Sequence, residues 1–192
     1  MKREHFAENY SVDSAFDEMR IFLWGATAIN LLLLEPILKQ TPEVYLICDT
    51  LDIETDSFMS SQQERDMLGH FGKDRCIAER QLEFLNICED DLFFVDATGL
   101  AEEELLRIND FLAASGCVTL FYGNKNKEVV IGPLLISRES ACMRCLQLQN
   151  LMSSYYNGEN SFIDEVHAHL FQFFLLRILY YIKGKNLYYL LS

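Results

Sequence analysis

Cys142 and Cys145, in "GPLLISRESACMRCL" (Gly132–Leu146), are the residues whose type and spacing speak most directly of chemistry. Two thiolates in a CxxC can hold half of a structural zinc site, which takes four ligands. The chain has six cysteines, and none follows Cys145. The missing ligands would come from a second chain, or from Cys117, His167 or His169. The plain alternative is a pair of reduced thiols. His167 and His169 lie two apart in a segment that reads as a helix, so they point to different faces, which favours ordinary helix residues over joint ligands. No Ser/His/Asp or Cys/His nucleophile arrangement is legible.

A second candidate joins Gly25 and Asp49. Gly25 closes the apolar run "IFLWG", and Asp49 closes a second such run, "EVYLICD". Asp49 falls roughly twenty residues past the glycine, about where a ribose-binding acid sits in dinucleotide folds. The alternative is that Asp49 and Asp52 are loop acids at a strand end. Glu102–Glu104 reads as the solvated first turn of a helix, where negative charge suits the dipole.

The elements that must position these residues alternate. "IFLWG" reads as a buried strand, "ATAINLLLLEPILKQ" as a helix bent or ended near Pro36, and "EVYLICD" as the next strand. Residues 50–72 read as loop with a short helix, and "KDRCIAERQLEFLNI" as an amphipathic helix. "DLFFVDAT" is a strand, and "AEEELLRINDFLAASG" a helix that Gly116 can end. "CVTLFYG" and "KEVVIG" are strands joined by the turn-like "NKNK". A loop follows the CxxC; the last helix runs from about Phe162 to Lys183, and "NLYYLLS" reads as a terminal strand. Apolar residues occupy more than one face of the last helix, which predicts a homodimer or hetero-complex surface. Strand–helix alternation predicts an α/β, Rossmann-like protein with a mainly parallel sheet flanked by helices.

Bulk properties narrow the function. The 192 residues suit a single domain over 1–192, with 1–20 as an N-terminal extension. The net charge of −13 argues against nucleic-acid binding and favours basic partners. The longest apolar zone, Leu170–Ile182, is too short to span a bilayer, and the N-terminus is no signal peptide. Cysteines without framework spacing predict reduced thiols in the cytoplasm.

Four segments together resemble the ThiF-like adenylating proteins of the ubiquitin-activating-enzyme superfamily. They are "IFLWGATAINLLLLEPIL", the long run from Val44 through "GKDRC" to Asn86, "LFFVDAT", and "IGPLLISRESACMRCL". The last is similar to the GPL…CxxCL signature of ThiF-like partners of YcaO cyclodehydratases, which act in making thiazole- and oxazole-containing peptides, including thiopeptides. The resemblance implies a structural zinc on Cys142 and Cys145. It also implies a precursor peptide, a YcaO cyclodehydratase and a flavin-dependent dehydrogenase as partners. With about 20 residues before the first strand, a winged-helix leader-recognition module does not fit, so leader binding would use a surface such as a sheet edge.

Activating a carboxylate with ATP needs phosphate contacts, a basic residue at the phosphates and an acid for Mg²⁺. By resemblance each piece is altered. Only Gly25 of the glycine-rich loop remains, and Ala28 and Asn30 stand where bulk would crowd a phosphate. Arg75 occupies the place of the family's catalytic lysine, and Gly99 that of its metal-binding aspartate. "DSFMSSQQER" keeps only Arg65. The expectation is therefore a degenerate adenylating-enzyme fold acting as a pseudo-enzyme. It would bind no ATP and serve as a non-catalytic adaptor that presents a precursor peptide. The alternatives are an ATP-dependent adenylating enzyme acting on a peptide or carrier-protein C-terminus, and a purely structural subunit.

Overall fold

The computed structural model describes residues 20–25, 27–39, 43–48, 69, 75–125, 128–136, 140–149, 151 and 165–183. Strand β1 (Ile21–Trp24) lies inside the sheet. It pairs in parallel with β2 (Val44–Ile47) on one side and β4 (Leu92–Asp96) on the other. The short β3 (Cys76–Ile77) adds to β2, β5 (Val118–Lys125) adds in parallel to β4, and β6 (Glu128–Leu135) closes the order β3-β2-β1-β4-β5-β6 as an antiparallel edge. The expected α/β, mainly parallel sheet flanked by helices is what the chain forms.

The continuous apolar runs explain this arrangement. A parallel strand covered on both faces reads as unbroken hydrophobic sequence. In β1, Ile21 and Leu23 enter one core, with Leu46, Phe94 and Tyr122. Phe22 and Trp24 enter the other, with Ile47, Phe93 and Phe121. Phe22 stacks on Phe93 with ring centroids 4.5 Å apart, a pairing that adds about 0.5–1.5 kcal/mol beyond area burial. Helix α1 (Ala28–Leu38) and α4 (Glu165–Lys183) cover the first face; α2 (Glu102–Ser115) and the short α3 (Met143–Leu148) cover the second. The N-terminal rim is locked by Arg20, whose Nε and Nη2 donate to the two oxygens of buried Asp91 at 2.7 and 2.6 Å. The carboxylate beside it holds the Arg20 guanidinium above its ordinary pKa.

One sequence expectation is refined. "KDRCIAERQLEFLNI" is not one α-helix. Cys76–Ile77 pairs with Leu46–Ile47 as an edge strand, and only Glu79–Phe84 coils, as a 3-10 helix. Sheet pairing here overrides helical periodicity. In β6 the register with β5 shifts beside Leu120 and Tyr122. There Gly132 takes φ 118 and Pro133 has no N–H to give, which suits a bulge. The predicted loop and helix over 50–72 and the terminal strand "NLYYLLS" lie outside the described residues, except for Gly69.

Pro36 neither ends α1 nor leaves a defect. Proline cannot donate to the carbonyl four residues back, that of Leu32. Gln172 of α4 fills the gap, its Nε2 donating to that carbonyl at 2.5 Å. The two helices also bury Leu175 against the α1 core, while Leu170, Phe173 and Phe174 point outward, each a little over half exposed. Arg177 stacks over Phe173 at 5.8 Å. No helix among the described residues is long and apolar enough to cross a membrane. We predict that Gln172→Ala, which strands the Leu32 carbonyl, lowers unfolding stability by about 1–3 kcal/mol in a denaturant titration.

Candidate functional site

The connections from β1 and β4 leave the sheet in opposite directions. One runs through α1 on the first face, the other through α2 on the second. Such a switch point opens a crevice beyond the C-terminal ends of the two strands, where open α/β sheets bind ligands. In this chain the crevice is framed by Gly25 and Thr27 on the β1 side and by Asp96–Gly99 on the β4 side.

Gly25 turns the chain out of β1 at φ 101, which a side chain would strain, and its N–H still reaches the Ile47 carbonyl at 2.9 Å. Thr27 then caps α1. Its carbonyl accepts from the Leu31 N–H at 2.9 Å, and its Oγ1 accepts from the Asn30 N–H at 3.3 Å. The same hydroxyl donates across the crevice to Asp96 Oδ2 at 2.7 Å. Asp96 Oδ1 accepts from the Thr98 N–H at 2.9 Å. One buried carboxylate therefore fastens both rims. Burial pushes its pKa above the ordinary carboxylate range, and the hydrogen bonds from Thr98 and Thr27 pull only part of the way back.

Asn30 lies beneath the turn and is fully buried. Its Nδ2 donates to the carbonyls of Trp24 at 2.9 Å and Gly25 at 2.7 Å, and its Oδ1 accepts from the Tyr122 hydroxyl. Burial holds the Tyr122 hydroxyl well above its ordinary pKa, and the charge of Asp96 acts in the same direction. The expectation that Asn30 would crowd a phosphate is thus corrected. The side chain turns into the core, because two carbonyls and a tyrosine there satisfy it.

The other expected residues are distributed as follows. Gly99 stands at the crevice in the turn after β4, at φ 75. Arg75 is not brought there. The pairing of Cys76 with Leu46 sets Arg75 level with Tyr45, below the rim and two strands from β1. Asp49, Asp52 and Arg65 lie outside the described residues. Cys142 and Cys145 sit beside α2: the Met143 N–H donates to buried Asn109 Oδ1 at 3.0 Å, and Arg144 pairs with Asp110 at 2.5 Å. The charge-assisted hydrogen bond from Arg144 lowers the Asp110 pKa.

The two sulfurs are 3.8 Å apart, about the separation that two thiolates take on one tetrahedral zinc with bonds of about 2.3 Å. Among the described residues, no third His, Cys, Asp or Glu joins them. Cys117 is buried and bonded to the Leu112 carbonyl, its thiol pushed up to about 11 by burial. His169 belongs to α4, which packs on the opposite face of the sheet from the pair.

No family model matches the chain, and no curated protein matches it in sequence. Solved structures do share its fold. E. coli MccB with ATP superposes at a TM-score of 0.63 with 13% identity, over 91% of this chain and 59% of that one. The microcin C7 biosynthetic enzyme MccB in complex with N-formylated MccA gives 0.57 and 14%, over 91% and 59%. PaaA gives 0.54 and 12%, over 90% and 66%. The chain spans less than two thirds of each of these proteins. The fold is therefore ThiF-like. The expectation of a non-enzyme is corrected here, since the structures that share the fold include a biosynthetic enzyme and one state of it with ATP.

Asp96 gives a test of this geometry. A carboxyl whose pKa is raised on folding contributes stability that is complete below the unfolded value and lost as pH rises through the folded value. Asp96→Asn can keep both bonds, its Oδ1 accepting from Thr98 and its Nδ2 donating to Thr27. We expect the variant to melt higher than the wild type at neutral pH and alike below the carboxylate range. Equal melting temperatures at both pH values would count against a destabilising buried charge.

Proposed function

We propose that this chain is the adenylating-fold portion of an enzyme that uses ATP to activate a peptide carboxyl group in the making of a modified peptide. The observation that carries this reading is the β1–β4 crevice. It keeps a glycine turn at a capped helix start, with the Asn30 side chain folded away beneath it, on a fold shared with MccB held with ATP. In such a reaction a carboxylate oxygen attacks the α-phosphorus of ATP, an acyl adenylate forms and pyrophosphate leaves.

The residues of this chain have definable parts in that step. The Gly25 turn and the start of α1 offer the positive end of a helix to the phosphates. Thr27 is held by Asp96, so its hydroxyl is fixed before any ligand arrives. Gly99 leaves open the place where the family carries an aspartate, so the cation would be held differently from the family pattern. A peptide substrate is supported by the complex of MccB with N-formylated MccA, since an N-formyl group belongs to an amino terminus.

The direct test is ATP–pyrophosphate exchange with short Cys/Ser/Thr-rich precursor peptides from the genes beside this one. Exchange well above the no-peptide control is expected, and Gly25→Ala should cut it about five- to thirtyfold through backbone strain of about 1–2 kcal/mol. A folded, pure protein that gives no peptide-dependent exchange would remove the adenylating reading.

Two finer readings go with it. Zinc on Cys142 and Cys145 fits the sulfur separation, with the remaining ligands supplied from outside the described residues. Cys142→Ser with Cys145→Ser should then lower the melting temperature, because structural zinc contributes folding energy. Unchanged melting, with no zinc by elemental analysis of the native protein, would dismiss the metal. Partnership with a YcaO cyclodehydratase and a flavin-dependent dehydrogenase rests on the resemblance of Gly132–Leu146 alone. Co-purification with the products of neighbouring genes tests it.

A further inference from the structure

An anion is bound by N–H groups and repelled by carbonyl oxygens, so a phosphate turn must dispose of its own acceptors. The turn after β1 has two of them close at hand, the carbonyls of Trp24 and Gly25. Both accept from one side-chain amide, Asn30 Nδ2, at 2.9 and 2.7 Å. We infer that Asn30 is a positioning residue for phosphate binding: it draws these two carbonyl oxygens into the core and keeps them out of the path of an anion entering the crevice. The inference rests on the nucleotide-binding reading above and adds a named residue to it.

The amide cannot serve in the reverse orientation. With Oδ1 where Nδ2 stands, three oxygens would face one another in a buried site without a proton between them. Tyr122 fixes the remaining end, its hydroxyl donating to Asn30 Oδ1 from β5. The amide thus has both its protons and an acceptor lone pair engaged, and its surroundings set its orientation. The backbone N–H of Asn30 meanwhile donates to Thr27 Oγ1 at 3.3 Å, so one residue organises the turn from its inner side and the helix cap from its start. In dinucleotide folds, the third glycine of the fingerprint serves close helix–strand packing. Here Asn30 occupies that place by resemblance and replaces packing with hydrogen bonds.

Binding of ATP and of adenosine to the full chain, measured by titration calorimetry, separates this role from ordinary core support. Adenosine shares the base and ribose but carries no phosphate. Asn30→Leu keeps the branched shape, with slightly larger methyl ends, and removes both donors. It should weaken ATP about tenfold or more and leave adenosine unchanged, the tenfold corresponding to about 1.4 kcal/mol. Tyr122→Phe keeps the ring and removes the hydroxyl that donates to Asn30 Oδ1, so it should fold and show a smaller loss for ATP alone. That variant carries the test if Asn30→Leu does not fold.

Equal losses for ATP and adenosine, or no loss in either folded variant while the wild type binds ATP, overturn the inference and leave the functional reading standing. A wild type that binds neither ligand overturns both.

Discussion

Strand β1 is hydrogen-bonded on both sides, to β2 and β4, and all four of its side chains are buried, two into each core. The remaining structure follows from that enclosure. A strand with no exposed face and no free edge can offer function only where it stops. Its N-terminal stop is sealed by Arg20 and Asp91, and its C-terminal stop at Gly25 is where the backbone opens. Among the described residues, the helices on the two faces bury few polar side chains. The exceptions, Asn30 and Asn109, are both buried: Asn30 Nδ2 donates to the carbonyls that end β1, and Asn109 Oδ1 accepts from the N–H that starts α3 while its Nδ2 donates to Asp110.

Much of this was legible in the chain, for definable reasons. Runs such as "IFLW" and "LFFVD" announce strands covered on both faces, and Glu102–Ser115 announces its helix through acids at the start and Gly116 at the end. Less was legible where partners decide. Cys76–Ile77 carries a helical pattern and becomes a strand because β2 offers an open edge. Arg75 stands where a catalytic lysine was expected by resemblance, but the register with β2 carries it below the rim. Gly25 and Gly99 follow β1 and β4 in turns of positive φ. Asn30 was read as an obstruction, since a linear pattern records its volume and not the direction in which its amide points. What pulls it inward is a tyrosine on β5, far away in sequence.

The frame around the crevice is therefore built independently of the groups it presents. Asp96 and Thr27 span the crevice through one hydrogen bond, and Gly99 offers no carboxylate beside them. A likeness in fold to MccB at 13% identity is consistent with strong constraint on strands and turns and weak constraint on the groups they present.

The contact between Gln172 and the Leu32 carbonyl links two helices that sequence sets far apart. Helices commonly fray from their ends, one turn at a time. In α1 the last turn has already lost a backbone bond to Pro36, and its replacement comes from α4. That end cannot loosen alone, because opening it means lifting α4 away and exposing Leu175. The two helices should thus open together as one cooperative unit, with amide hydrogens that exchange on a common timescale. Since the glycine turn sits at the other end of α1, its rigidity is borrowed in part from a helix on the outside of the molecule.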